Sequence, residues 1–325
     1  MVRSHPPRSP SILAASAAVA LLAGLPVLAA RGAEETSNET GWAEHDSCLH
    51  GRLERAAGAA AGDLYDEQTG RDLRHFAPDR LVDYLHMTLE MRFEDLDDAR
   101  FVATETLRFR PIGPGVDGLT LDAVGLDIRA ATLDGHAVEH YHDGNTLTLR
   151  FPGPLDPARE YALGFDYVCA DPVDGMVFTP AAPEVGYTAE VHTQGQSDTN
   201  RHWFIAHDFP NERLATELIV DVPARFAVSS NGRLVSHDVR DDRAVWHYLQ
   251  ERPHVSYLVS LVIGEFDIVR IPHDRVDMQV WGQRGTAADI LGTFGRTGEM
   301  IDLFEERFGV PYPWDRYDQL CVKNF

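Results

Sequence analysis

The sequence predicts a mainly β protein, a large antiparallel β-sandwich followed by the beginning of an α/β domain. Three observations predict it. From Tyr84 onward, apolar and polar residues alternate with a period of two in one run after another. Between the runs stand Gly, Pro, Asn and Asp, which supply the backbone angles of tight turns. Near residue 286 the apolar period lengthens to three or four, the spacing of one helix face.

Taken in order, the chain begins with Arg3 and Arg8, then the apolar run "SILAASAAVALLAGLPVLAARGA" and the acidic "EETSNET". That is the layout of an export signal, a charged start, an apolar centre and small residues for cleavage, here near Ala29 to Ala33. Residues 1–33 are therefore read as a signal peptide, and the protein as exported, periplasmic or secreted. The run also approaches the roughly 20 residues of a spanning helix, so a membrane is a partner only if the segment is retained. Residues 34–80 mix Ala, Gly and charge and are read as a loosely structured leader.

The alternating runs follow: "YLHMTLEMRFEDL", "FVATETLRFRPI", "LTLDAVGLDIRAATLDG", "HAVEHYHDGNTLTLRF", "EYALGFDYVCA", "ATELIVDVPARFAVSSNGRLVSH", "DRAVWHYLQ" and "SYLVSLVIGEFDIVRI". Asn231 and Gly232 are expected to supply the positive backbone angles of a hairpin turn. Beyond them, Ile290, Phe294, Thr297, Ile301, Phe304 and Phe308 recur at helical spacing, with Thr286 and Asp289 as the expected start and Gly309 and Pro311 as the stop. Gly292, Gly295 and Gly298 inside that helix each cost about 1 kcal/mol relative to Ala, which predicts close packing against another element. Residues Asp318 to Phe325 have the pattern of a half-buried strand, and the strand looks interrupted, as if the chain stopped inside its second domain.

The formal charge of -22 is scattered along the chain, which favours solubility and repels polyanions, so no nucleic-acid partner is expected. Cys48, Cys169 and Cys321 form no C-x-x-C pair, and at most one disulfide is possible. Cys169 and Cys321 are expected to behave as small apolar residues in strands.

Several patterns that could carry chemistry fall away. "GPGVDG", Gly113 to Gly118, matches the glycine spacing of a dinucleotide turn, yet a strand pattern follows it where such a turn must open a helix. His140 and His142 share one strand face at a spacing that can ligate metal, but precede a turn and are read as surface residues. His207 and Asp208 lack a nucleophile, since no G-x-S-x-G exists in the chain. No H-E-x-x-H exists either, so no local motif presents two imidazoles and a carboxylate to zinc.

The stretch "TQGQSDTNRHWFIAHDFPNERLATELIVDVPARFAVSSNGRLV", Thr193 to Val235, resembles the aminopeptidase N family of zinc metallopeptidases. That family carries a T-Q-x-E or T-Q-x-Q segment, then A-R-x-x-F-P-C-x-D-E-P, an A-T-F/S-E strand and a V-S-N-G turn. Matching residues are Thr193, Gln194, Gln196, Arg201, Phe204, Asp208, Pro210, Ala215, Thr216, Glu217, Ser230, Asn231 and Gly232. The end, "FEERFGVPYPWDRYDQLCVKNF", is similar to the family's F-G-x-P-Y-P and K-Y-D stretch. Departures fall at Ile205 and Ala206, where Pro-Cys is usual, and at Phe209, where Glu is usual.

The resemblance implies a saddle-like β-sandwich domain over residues 81–271 and the truncated start of a thermolysin-like α/β catalytic domain over 272–325. It also implies zinc as the cofactor of the full-length family and peptides with a free N-terminus as substrates. The family's G-x-M-E-N and H-E-x-x-H elements are not in this sequence, so no catalytic residue and no metal are expected here. One contribution to substrate binding is implied: Gln194 and Gln196 correspond to the segment that helps hold the substrate's α-amine. Two functional readings stand, the N-terminal portion of an exported zinc aminopeptidase and a non-catalytic secreted module that binds peptides or a partner protein.

Overall fold

The computed structural model describes residues 78–325; the segment read as a signal peptide, nearly all of the residues read as a leader and Cys48 lie outside the described residues. In chain order the strands are β1 (Val82–Arg92), β2 (Arg100–Pro111), β3 (Gly118–Asp122), β4 (Asp127–Leu133), β5 (His136–Ala137) and β6 (Glu139–His142). Next come β7 (Thr146–Arg150), β8 (Tyr161–Ala170), β9 (Met176–Thr179), β10 (Glu190–Thr193), β11 (Leu214–Pro223) and β12 (Ala227–Ser230). The last are β13 (Arg233–Arg240), β14 (Arg243–His254), β15 (Leu261–Gly264), β16 (Phe266–Ile271) and β17 (Asp277–Gln283). Helices α1 (Ala287–Phe294) and α2 (Thr297–Phe308) then precede strand β18 (Arg316–Leu320).

An eight-stranded sheet runs in the order β13-β14-β11-β1-β2-β8-β4-β5, with two smaller sheets, β12-β15-β10-β9 and β3-β7-β6. Alternation explains how they meet. On β11, Leu214, Thr216, Leu218, Val220 and Val222 are buried and their neighbours are not. On β1 the buried positions change phase, from Val82 and Tyr84 to Met87, Leu89 and Met91, because a register shift lies between Tyr84 and His86. These inward faces share one core with Leu119, Leu121, Leu147, Val191, Val228 and Ile263 of the smaller sheets. The large sheet is antiparallel except where β1 and β11 pair in parallel.

The turn at Asn231 and Gly232 differs from the hairpin the sequence suggests. β12 pairs with β15 and β13 with β14, so this turn carries the chain from one sheet to another. Only Gly232 has a positive φ, +78°, and a Cβ there would be 2.1 Å from Leu249 O. Asn231 instead accepts from Ser260 N at 2.6 Å and donates to Leu258 O at 2.9 Å, tying the turn to the segment that leads into β15, the strand that β12 pairs with.

A second core of Ile271, Val276, Met278, Val280, Ile290 and Ile301 lies under the sheet β16-β17-β18 and the two helices. The single helix expected from residue 286 is two, because the chain breaks at Gly295 and Arg296, where Thr297 Oγ1 lies 2.8 Å from both Phe294 O and Gln319 Oε1. The helix start is not capped by Thr286, whose hydroxyl donates to Gln283 O. Asp267 of β16 caps it, accepting from Gly285 N and Ala287 N at 2.8 and 3.1 Å. Of the three glycines, Gly298 is packed, with room for a Cβ only 3.3 Å from the His273 ring, while Gly292 faces open space. Phe304 and Phe308, expected on the buried stripe, are exposed and stack on each other 5.7 Å apart.

The final strand is Arg316–Leu320, parallel to β17, and not Asp318 to Phe325. Cys321 to Phe325 lie beyond it as irregular chain. The segment is fastened to β10: Glu190 accepts from Lys323 N at 2.7 Å and from Gln283 Nε2 at 2.9 Å. Cys169 is buried and Cys321 half-buried, both as free thiols. Among the described residues no helix is long and apolar enough to cross a membrane.

Candidate substrate-binding loop

The two glutamines lie in the loop that leaves β10. That strand is internal, pairing with β15 on one side and β9 on the other, so its end is well fixed. Thr193 Oγ1 accepts from Leu261 N, and Gln194 N donates to Gly175 O at 2.9 Å. The chain then curls: Thr199 Oγ1 donates to Gln194 O at 2.6 Å and Thr199 N to Gly195 O at 3.1 Å. Gln194 is half-buried, and its Oε1 accepts from Gln196 N at 3.3 Å. Gln196 is exposed.

The loop wraps around Asn200, which is fully buried. The Asn200 amide donates to Ser256 O at 2.7 Å and Val259 O at 3.1 Å, and its Oδ1 accepts from Trp203 Nε1 at 2.7 Å. Every strong hydrogen-bonding position but one on this amide is therefore used. Gly195 is required because Asn200 fills its side: a Cβ would lie 2.5 Å from Asn200 Nδ2 and 2.5 Å from Tyr257 O. The arrangement presents a half-buried and an exposed amide side by side, and an amide oxygen accepts from an ammonium group.

Arg201 and Asp208, two residues of the matched motif, are structural. Arg201 pairs with Asp122 at 2.9 Å and donates to Asp198 O and Asp208 O. Asp208 is buried and accepts from Ser256 Oγ at 2.6 Å and Arg201 N at 3.0 Å; burial pushes its carboxyl above the usual range, against those bonds. His207 turns away from Asp208, bonded to Asn211 Oδ1 at 2.7 Å and stacked on Tyr84. His142 bonds the Ala123 carbonyl oxygen while His140 is exposed, and "GPGVDG" leads into strand β3.

Two features escaped the sequence patterns. Glu217 of β11 gathers His247 of β14 at 2.6 Å and His86 of β1 at 3.7 Å, a contact between strands whose pairing no local pattern announces. Glu105 of β2 is buried among core side chains; its signal was present, since it occupies the apolar phase of Phe101, Ala103, Leu107 and Phe109. Among the described residues, no group of three or more His, Cys, Asp or Glu is arranged to hold a metal ion. The described residues thus do not fit zinc.

No family model matches the chain. Mouse aminopeptidase B is 26% identical over 272 residues, covering 75% of this chain and 40% of that protein. Leukotriene A-4 hydrolase of Xenopus laevis is 22% identical over 265 residues, covering 77% of this chain and 42% of that protein. Among solved structures, an M1 zinc metallopeptidase from Deinococcus radiodurans superposes with a TM-score of 0.65 at 20% identity, over 75% of this chain and 57% of that one. In sequence and in fold the chain is similar to the M1 zinc aminopeptidase family. It corresponds to the N-terminal portion of its M1 relatives and spans less than half the length of those two curated relatives. A mutant of the Deinococcus M1 enzyme has also been solved bound to a Tyr-Ser-Ala substrate.

Proposed function

We propose that this chain is the N-terminal portion of an exported zinc aminopeptidase that removes N-terminal residues from peptides. In this reading, residues 81–271 form the β-sandwich domain and 272–325 open the catalytic domain. The division agrees with the separation of the two cores, one ending at Ile263 and the other starting at Ile271. Zinc and the general base belong to polypeptide outside this chain, and the Gln194–Gln196 loop holds the substrate's free α-amine. The observation that carries the reading is the loop itself: two matched glutamines, one exposed, on a turn that buried Asn200 holds in shape.

The experiment joins the region encoded downstream of Phe325 to this chain. The joined polypeptide is expected to bind one zinc and hydrolyse an amino-acyl anilide, and residues 1–325 alone to do neither. Anilide hydrolysis by residues 1–325 would overturn the reading. An inert joined polypeptide would instead favour the non-catalytic peptide-binding module, which the lack of a metal-ligating group among the described residues supports.

A further inference from the structure

The core of the large sheet contains an acid that the proposed function does not use. Glu105 Oε2 lies 3.2 Å from Tyr167 Oη and accepts from Ile205 N at 3.0 Å, while Tyr167 Oη is 3.1 Å from Trp203 O. Glu105 Oε1 is buried with no hydrogen-bond partner. Tyrosine has one proton to give, and both of its neighbours here are acceptors if Glu105 is ionised. The contacts are all satisfied when Glu105 is neutral, with its proton on Oε2: the acid donates to Tyr167 Oη, and Tyr167 donates to Trp203 O. An ionised Glu105 would draw the tyrosine O–H into a hydrogen bond with itself and leave the Trp203 carbonyl without a donor.

That carbonyl belongs to the residue whose indole bonds Asn200, and Asn200 is the side chain around which Gly195 is packed. Ile205, which supplies the N–H to Glu105, occupies the position where the family pattern has proline, a residue without an N–H. We propose that neutral Glu105 is the buried end of a relay, Glu105–Tyr167–Trp203–Asn200, that positions the Gln194–Gln196 loop, so that loss of its proton loosens the loop. The value of that positioning for substrate rests on the proposed function; the relay itself does not.

Other titratable groups stand on the elements nearby. From β8 come Tyr167 and Cys169, the phenol pushed well above its ordinary range and the thiol up to about 12, both mainly by burial. From the 200–208 segment come Arg201 and Asp208, bonded to each other, and His202, whose Nδ1 is 3.0 Å from Thr199 O. Burial raises Glu105 itself to about 8, against the bonds from Ile205 and Tyr167.

The test is amide hydrogen exchange of residues 1–325 at pH 6 and pH 9, with each rate divided by that of an unstructured chain at the same pH. The amides of Gln194, Thr199 and Trp203 are expected to lose protection about tenfold at pH 9, as a local opening would give, with β11 and β14 reporting any change in global stability. In Glu105→Gln, which cannot titrate, the ratio between the two pH values should be flat whatever its level. Tyr167→Phe should lower loop protection already at pH 6, since Trp203 O then lacks its donor in every state. A flat profile in the unmodified chain, an equal drop in Glu105→Gln, or Tyr167→Phe matching the unmodified chain at pH 6 would each overturn the relay. A responsive loop whose glutamines prove irrelevant to amine binding would leave the relay standing and sink the substrate role.

Discussion

Replacing Gly195 by alanine tests whether the loop is built around Asn200. The added Cβ would meet Asn200 Nδ2 and Tyr257 O at 2.5 Å and Asn200 Cγ at 2.7 Å, where ordinary contact begins near 3.4 Å. Tyr257 O is backbone. Asn200 can retreat only by giving up bonds to Ser256 O, Val259 O or Trp203 Nε1. Overpacking of this kind costs about 1–3 kcal/mol, and a buried polar group left unpaired adds about 1–3 kcal/mol. A loss of about 2–4 kcal/mol lowers the melting temperature by roughly 5–15 °C for a domain of this size. Gly153→Ala is the control, because a Cβ at Gly153 meets nothing within 4 Å and its φ is not positive. Circular dichroism melts of both variants decide it. A Gly195→Ala protein that melts within a degree of the control would refute the packing argument.

Other outcomes follow from the same contacts. Asp208→Ala strands Ser256 Oγ, Arg201 N and a half-buried guanidinium, and should cost about 3–5 kcal/mol in urea unfolding. Glu105 has a folded pKa near 8, above its ordinary 4.5, so between those values the folded state holds a proton that the unfolded state has lost. Its contribution to stability is therefore unpenalised below about pH 4.5 and falls as pH rises, by at most about 1.4 kcal/mol per unit, until it levels above pH 8. Glu105→Gln should remove that slope when urea midpoints are compared at pH 6, 7 and 8, and an unchanged slope would count against it. On α2, Phe308 is 71% exposed beside Phe304, so Phe308→Lys should raise the concentration at which size-exclusion profiles stay monodisperse, with little change in melting temperature.

The sandwich was legible because half-buried strands write their burial into period two, and β11 does so without a break. What stayed hidden was set by tertiary contact. The parallel pairing of β1 with β11 joins residues such as Met87 and Thr216, which no local pattern links. The Asn231–Gly232 signal predicted a turn and found one, but a turn signal does not say which sheet each flank joins. The cap of α1 came from Asp267, a strand residue 20 positions before Ala287, where a local pattern could only suggest Thr286. At the candidate site, Gln194 and Gln196 were named from the resemblance, while Asn200, the side chain that shapes their loop, carries no sequence pattern that separates it from a surface asparagine. Glu105 could have been found, since a carboxylate at an inward strand position is a costly choice that calls for a partner.

The most direct measurement is catalytic efficiency on a free-amine dipeptide by the joined, zinc-loaded polypeptide, with melting temperature, for Gln194→Ala, Gln196→Ala and Gln196→Glu. Losing a hydrogen bond to an ammonium costs about 1.5–3 kcal/mol, so each alanine variant should lose roughly ten- to a hundredfold in kcat/KM. Gln196→Glu should gain affinity for the amine, because it adds an opposite charge beside it. Melting temperatures should barely move in all three. Unchanged kinetics together with a large loss of stability would contradict the account and assign both glutamines to the fold alone.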